Sequence, residues 1–512
     1  MAQGMSKELP AFPAPAAQAR QLESAARSGV PTTLPLRTAQ KADAVPLVVD
    51  LDRALIRSNL RLESVFAHLG QCVARPGEML SALCSGRAAF NSHIADASTF
   101  DAANLPYDDN VLDLVRASVA DGVPVYLVST SDERQVRAIV EHLGLFTGWF
   151  ASTAGDSLSE AARAQRLIDA FGSGGFDYLG SAAEDHPVWA VARKRMAARE
   201  SSAVHAMLVS LDRNAVFLSP KTSQLRAWAK LLRVHQWAKN ALVFVPLATA
   251  HRFDLAAFGA AIAAFVAFSL AASAIYIVND LVDIEADRRH PTKKNRPLAA
   301  GTLPASSALC AAAALVLAAA AIASFITTEF MAVLACYLVL TTAYSFYLKR
   351  KMLVDVIALA ILYTTRVIAG AAAVAVPLSA WLLVFSIFIF TTLALVKRYV
   401  ELAGRIDAEL PDPSNRDYRK SDLAVVGALA AGAAFNAVTV FALYISSDAV
   451  HHLYRRPDAL WLICPILMYW LSRILMLAHR RALDDDPVLF ALKDLNSLVA
   501  FGLIAEILAL AI

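Results

Sequence analysis

From residue 240 onward the chain consists of long apolar segments, most of them near the ~20 residues that a helix needs to cross a bilayer. About nine can be delimited, at roughly 240–252, 256–279, 305–326, 330–347, 353–374, 379–397, 422–445, 458–477 and 488–511. The first is short and begins inside the preceding string LRVHQWAKN. Inside lipid every backbone N–H and C=O must be paired within the protein, so such segments predict an all-α polytopic membrane domain. Composition agrees: 57% of the 512 residues are hydrophobic and 18% charged, too apolar for an ordinary soluble enzyme.

The loops predict an orientation. Spans two, four, six and eight end in DRRHPTKKNRP, YLKRKM, a stretch from KRYVELAGR to NRDYRK, and AHRRALDDD. The opposite turns are mostly short and weakly charged, DAVHHLYRRPD being the exception. Lys and Arg mark the cytoplasmic side, which puts these loops in the cytoplasm of an inner, multi-pass membrane protein with its C-terminus outside.

Before residue 220 the pattern differs. VPLVVDLD, VPVYLVST and GFDYLGS are short apolar runs separated by helical stretches, which predicts an α/β domain with a parallel sheet over 44–218. Ligands of such sheets lie beyond the carboxyl ends of the strands, where Asp50, Asp52, Ser129 and Asp185 fall. Residues 1–43, rich in Ala, Pro, Gln and Ser without an apolar core, read as a disordered tail and not as a signal peptide. The five cysteines form no C-x-x-C pair and predict neither a disulfide framework nor a zinc site. A net charge of +3 gives no support to nucleic-acid binding.

Residues 219–238 join the two halves. Leu225, Trp228, Ala229 and Leu232 share one face of a helix, with Lys221, Arg226, Lys230 and Arg233 around the rest. This predicts an interfacial helix on the cytoplasmic leaflet, preceding a membrane domain over 239–512.

Chemistry concentrates at the end of the second span. Asp280, Asp283 and Asp287 are spaced to lie on one helical face, at a C-terminus that is already negative. Mutual repulsion predicts a cation among them, and carboxylates beside the Asn279 amide suit Mg²⁺ shared with substrate phosphate oxygens. The following RRHPTKKNRPLAAG supplies Arg288, Lys293, Lys294 and Arg296 as the cationic half of a diphosphate clamp.

The string NDLVDIEADRRHPTKKNRPLAAG resembles the first aspartate-rich motif and basic loop of the UbiA superfamily of membrane prenyltransferases. The resemblance covers roughly residues 221–512 and implies about nine spans, cytoplasmic catalytic loops and Mg²⁺. In one respect the sequence departs from it. A second aspartate-rich motif would follow the sixth span, where ALVKRYVELAGRIDAEL instead has Lys397, Arg398, Tyr399 and Glu401. A second metal site is therefore not expected, and cations there suit a further anionic group. With RVHQWAKN and DDPVLFALKD, the sequence is similar to the decaprenyl-phosphate phosphoribosyltransferase branch. That branch implies phosphoribosyl diphosphate as donor and a polyprenyl phosphate as acceptor.

By that resemblance Asp280, Asp283 and Asp287 hold Mg²⁺ on the donor diphosphate, and Lys293, Lys294 and Arg296 bind its phosphates. Tyr344, Lys349, Lys397 and Arg398 hold the lipid phosphate or the donor's 5-phosphate. Arg366, inside the fifth span, is expected at a substrate or carboxylate, or else in a structural pairing. The alternative is prenyl transfer from a polyprenyl diphosphate to an aromatic acceptor such as 4-hydroxybenzoate. A transporter with a regulatory domain is disfavoured, because no inverted repeat or pair of broken helices is evident. Acceptor identity, lipid length and oligomeric state are left open.

VVDLDRA resembles the nucleophile motif of haloacid-dehalogenase-type phosphatases. That resemblance implies Asp50 as nucleophile, Asp52 as general acid/base, Ser129 in the second motif and a metal held by Asp50 and Asp185. Arg163 stands where Lys is expected, and Ser181 replaces the first residue of the last motif. Residues 53–105 would form a small helical cap.

Overall fold

The computed structural model describes residues 44–60, 101–153, 158–218, 224–290, 292–413, 416–483 and 486–512. The expected tail at 1–43 and most of the expected cap lie outside them. The chain divides into two compact units, Met1–Arg57 with Ser85–Pro220, and Ser58–Cys84 with Lys221–Ile512.

The first unit holds six strands: β1 (Leu47–Asp50), β2 (Val125–Asp132), β3 (Gly148–Ser152), β4 (Asp177–Gly180), β5 (Lys194–Ala198) and β6 (Val216–Leu218). All pairings are parallel, in the order β3-β2-β1-β4-β5-β6. The α/β expectation is met. Every residue of β1 is buried, as the aliphatic run Leu47-Val48-Val49 requires of a central strand covered on both faces. Strand order reverses at β1, between β2 and β4, and opens a crevice beyond their carboxyl ends. Asp50 closes β1 at that point. Helix α1 (Glu160–Phe171), whose N-terminus is capped by the Ser159 hydroxyl accepting from Ala162 N, carries Arg163 in its first turn.

The second unit is helical. Helix α2 (Gln224–Leu232) leads through 3₁₀ turns over Val234–Phe244 to α3 (Leu255–Val282) and short α4 (Ile284–Arg289). There follow α5 (Ala305–Ala323), α6 (Thr328–Phe346), α7 (Val354–Ala373), α8 (Ala380–Asp407), α9 (Leu423–Ile445) and α10 (Ile463–His479), then α11 (Pro487–Ala491) and α12 (Leu495–Ala511). Among the described residues seven helices are long and apolar enough to cross a membrane: α3, α5, α6, α7, α8, α9 and α10, some with flanking 3₁₀ turns. The nine expected segments thus reduce to seven by this measure. Residues 240–252 are 3₁₀ turns and a five-residue helix (Val245–Thr249) with Pro246 at its start, and α12 has 17 residues, about 26 Å of helix.

Small residues decide how closely the helices approach. Ala264, Ala267 and Ala271 of α3 are fully buried against Phe268, Phe330 and Tyr337. A Cβ added at Gly370 of α7 would lie 2.0 Å from the Val243 carbonyl oxygen, so only glycine admits the 3₁₀ segment there.

Candidate active site

Helix α3 ends at Asp283 (φ −91°, ψ 7°), whose N–H donates to Asn279 O at 2.9 Å, and α4 resumes one residue later. The interruption corrects the expectation of one continuous acidic face. Asp280 and Asp287 turn inward and are buried, whereas the Asp283 side chain keeps 40% of its exposure. Arg296 Nη1 donates to Asp280 Oδ1 at 3.1 Å and to Asp287 Oδ2 at 2.6 Å, and Arg233 Nη2 donates to the same Asp280 oxygen. Lys349 Nζ stands 3.7 Å from Asp283 Oδ2. The chain itself therefore offsets these acids, which the spacing alone did not reveal. Burial pushes the Asp287 carboxyl up, and Arg296 draws it back down in part.

Among the described residues no three Asp, Glu, His or Cys side chains gather as around an ion, since the two arginines stand at the carboxylates. The donor set nevertheless fits a hard divalent cation of the kind that takes one or two carboxylates and completes its shell with phosphate and water oxygens. Asp283 and Asn279, both on the wall of the cavity described below, are its accessible members.

Arg233 reaches this cluster because of how α2 ends. Leu231 is fully buried, and Ala227, Trp228 and Leu232 pack beside it on α3 and α5. Leu225, expected on the apolar face, is 84% exposed. Ser273 Oγ of α3 donates to Leu232 O at 2.8 Å and accepts from Trp237 Nε1 at 3.0 Å. Arg233 then takes a left-handed conformation (φ 51°, ψ 45°) and lays its guanidinium over Tyr276 at 4.8 Å. Lys230 Nζ donates to Asn295 O at 2.6 Å and fixes α2 to the basic loop.

These groups line one side of a cavity of about 330 Å³. Of the residues singled out from sequence, Asn279, Asp280, Asp283, Lys293 and Arg296 are on its wall, as are Tyr344, Lys349, Arg366, Lys397 and Arg398. Lys294 is exposed and not on the wall, while Asp287 and Glu401 touch arginines that are. Lys239, Arg416 and Arg233, the last expected only as a cation of the linker helix, also line it. Nine cationic side chains on the wall face six carboxylates in contact with them, an excess of three positive charges among the described residues. Such a cavity concentrates anions.

The far wall is a closed ion-pair cluster. Arg398 is buried, with Nε 3.1 Å from Asp355 Oδ2 and Nη1 bonded to Glu401. Arg416 reaches the same two acids at 3.3 and 3.4 Å, and Tyr418 OH donates to Asp355 Oδ1 at 2.7 Å. Glu401 is thus committed to two arginines. Among the described residues Arg366 meets no carboxylate. Its Nε donates to Asn240 Oδ1 at 2.8 Å and its Nη2 to Tyr337 OH at 3.2 Å, with the guanidinium 5.0 and 5.6 Å from the Tyr337 and Tyr363 rings. Lys239 donates to Asp486, which also accepts from Val488 N and Leu489 N at the start of α11. Burial pushes the Asp486 carboxyl up, but Lys239 and Lys397 outweigh it and hold it below its ordinary value. Lys397 has no ion pair or hydrogen bond among the described residues.

In the α/β unit the expected residues converge at the crevice. Arg163 Nη1 donates to Asp50 Oδ1 at 2.9 Å, and its Nη2 lies 3.2 Å from Asp185 Oδ1. Ser129 and Ser131 hydroxyls donate to Asp52 Oδ2 at 3.0 and 3.3 Å. Burial pushes the Asp50 carboxyl well up and Asp185 adds to this, while Arg163 opposes both. Asp185 also accepts from Tyr178 OH at 3.0 Å, Ser181 N at 2.8 Å and Ala182 N at 3.1 Å. A carboxylate offers about four lone-pair sites, and protein donors occupy four here. Asp185 is therefore saturated, and the metal expected between it and Asp50 does not fit this donor set.

Residues 240–497 match the UbiA prenyltransferase family. Uncharacterized protein y4nM of Sinorhizobium fredii is 33% identical over 475 residues, 91% of each chain, so that similarity runs through both units. Nodulation protein NoeC of Azorhizobium caulinodans is 32% identical over 275 residues, 53% of this chain and 89% of its own. The decaprenyl-phosphate phosphoribosyltransferase of Mycolicibacterium smegmatis is 35% identical over 291 residues, 54% of this chain and 89% of its own. By its sequence through the helical unit, this chain belongs to the UbiA prenyltransferase family.

Proposed function

We propose that the helical unit transfers 5-phosphoribose from phosphoribosyl diphosphate to a polyprenyl phosphate and releases pyrophosphate. The observation that carries this reading is the cluster of Arg398, Arg416, Asp355 and Glu401, where paired arginines stand in place of acids free to take a second metal. Two phosphorylated substrates bring more negative charge than a prenyl diphosphate with an aromatic acid, and three uncompensated cations suit the former. The similarity to a protein named decaprenyl-phosphate phosphoribosyltransferase supports the same choice.

In this reading Lys293 and Arg296 bind the donor diphosphate, and Tyr344, Lys349, Lys397 and Arg398 hold the acceptor phosphate or the 5-phosphate. Mg²⁺ held through Asp280, Asp283 and Asp287 would lower the charge on the departing pyrophosphate. The acceptor's phosphate oxygen forms the bond to the anomeric carbon as the bond to diphosphate breaks. That oxygen is already anionic, so no side chain is needed as a general base. The basic loops support placing this site on the cytoplasmic side of the inner membrane.

For the α/β unit we propose a phosphomonoesterase acting on the lipid-linked product, with Asp50 as nucleophile and Asp52 as general acid/base. Arg163 supplies the positive charge beside Asp50.

One membrane assay with two donors tests the main reading. Labelled phosphoribosyl diphosphate with polyprenyl phosphate is run beside labelled polyprenyl diphosphate with 4-hydroxybenzoate. Label in the phospholipid-type product is expected, and label in the aromatic product alone would overturn it.

A further inference from the structure

We propose that Arg233 and Arg296 are exchangeable counter-ions, which hold Asp280 and Asp287 while the cavity is empty and pass to the donor diphosphate when a divalent cation takes the carboxylates. The inference rests on the reading above in one respect, that a cation enters this cluster.

Three features support it. Both guanidinium groups contact one oxygen, Asp280 Oδ1, of a carboxylate whose side chain is only 3% exposed. A cation approaching from Asp283 cannot engage that oxygen without displacing a guanidinium. Both arginines line the cavity and keep 22% and 27% of their side-chain exposure, so they have room to turn. Each guanidinium carries five N–H donors, and in each only one nitrogen donates to a side chain among the described residues. The remaining donors suit phosphate oxygens, for which the planar fork is the preferred partner.

The backbone at Arg233 adds a fourth. A left-handed conformation is unfavourable for a residue with a Cβ, yet hydrogen bonds to Leu232 and between Trp237 and Ser273 fix both sides of it. The side chain is thereby aimed at Asp280 from the end of α2, whereas Arg296 reaches it from the basic loop. The two arginines thus come to one carboxylate oxygen from two different segments of the chain.

Exchange predicts effects of opposite sign from one substitution. Removing Arg233 removes a competitor of the cation and a ligand of the diphosphate together. The test uses the full chain in detergent, with Mn²⁺ binding read by electron paramagnetic resonance and labelled pyrophosphate binding read at saturating Mn²⁺. In Arg233→Ala, Mn²⁺ alone should bind about fivefold more tightly and pyrophosphate about tenfold more weakly, the scale of one charge-assisted hydrogen bond. Arg233→Lys keeps the charge and the same backbone penalty, so both constants should move the same ways by less. If the alanine variant does not fold, the lysine variant decides by the same divergence.

Constants that weaken together, or stay unchanged, would overturn the exchange and leave the metal site standing. A protein with no Mn²⁺ site that Asp280→Asn removes would overturn both. The probes are common to either donor, so the result does not depend on which group is transferred.

Discussion

Arg398 Nε lies 3.1 Å from Asp355 Oδ2, and neither side chain reaches solvent. Asp355 is also the acceptor for Tyr418 and the partner of Arg416, which makes it the hub of the far wall. Replacing it by alanine leaves two arginines sharing Glu401 alone. Loss of one partner from a buried pair costs about 3–5 kcal/mol. Asp355→Ala should unfold at a clearly lower temperature in detergent, and a shift within error of the parent would contradict the cluster's role.

Lys397 gives the opposite expectation. It lines the cavity without a partner among the described residues, so Lys397→Met removes no native ion pair. Stability should hold or rise while transfer falls by about tenfold or more, the loss of one charged hydrogen bond to phosphate. Melting curves and labelled transfer, measured on one preparation, separate the two effects.

Metal removal should divide the two activities. Chelation, or Asp280→Asn, is expected to abolish transfer with either donor, whereas phosphate release by the α/β unit persists in chelator because Asp185 has no vacant acceptor. Inorganic phosphate assays with and without EDTA check this. Release that stops in EDTA would restore a metal to that crevice.

The pH profile of the same release tests Asp50. A nucleophile must be ionised, and burial with Asp185 raises the Asp50 carboxyl while Arg163 lowers it. Activity should therefore be full at higher pH and fall as pH drops through the raised value, above the range of an ordinary aspartate. Arg163→Gln removes the opposing charge and should move that limb further up. A limb that stays in the ordinary aspartate range would argue against Asp50.

Gly370→Ala should be harmful despite improving helix propensity by about 1 kcal/mol. Its Cβ would meet backbone at Val243, which cannot move like a side chain, and overpacking of this kind costs about 1–3 kcal/mol. A lower melting temperature, with transfer impaired because Lys239 and Asn240 sit in the displaced segment, is expected.

The apolar periodicity and the spacing of Asp280, Asp283 and Asp287 were enough to read the helical unit and one end of its cavity from sequence. Short-range patterns carry that information because the acids lie within eight residues. Arg233 was not legible, since on a helical wheel it belongs to the polar face of α2 and only the left-handed residue at the helix end redirects it. Arg416 reads from sequence only as loop charge, and Tyr418 carries no signal, because nothing near them in sequence names Asp355, more than 60 residues away. Lys239 and Asp486 are 247 positions apart, and no local rule pairs them. The break at Asp283 is not legible for a different reason: the motif's periodicity is helical throughout, although the structure ends one helix there and starts another.

Both sets of arginines already satisfy their carboxylates within the folded chain. A nascent polypeptide can therefore be inserted and packed with no bare charge facing hydrocarbon at these sites and with no ion or cosubstrate supplied during assembly. The finished apoprotein is then electrically matched at each end, and what it lacks is only the cargo that its remaining cations attract.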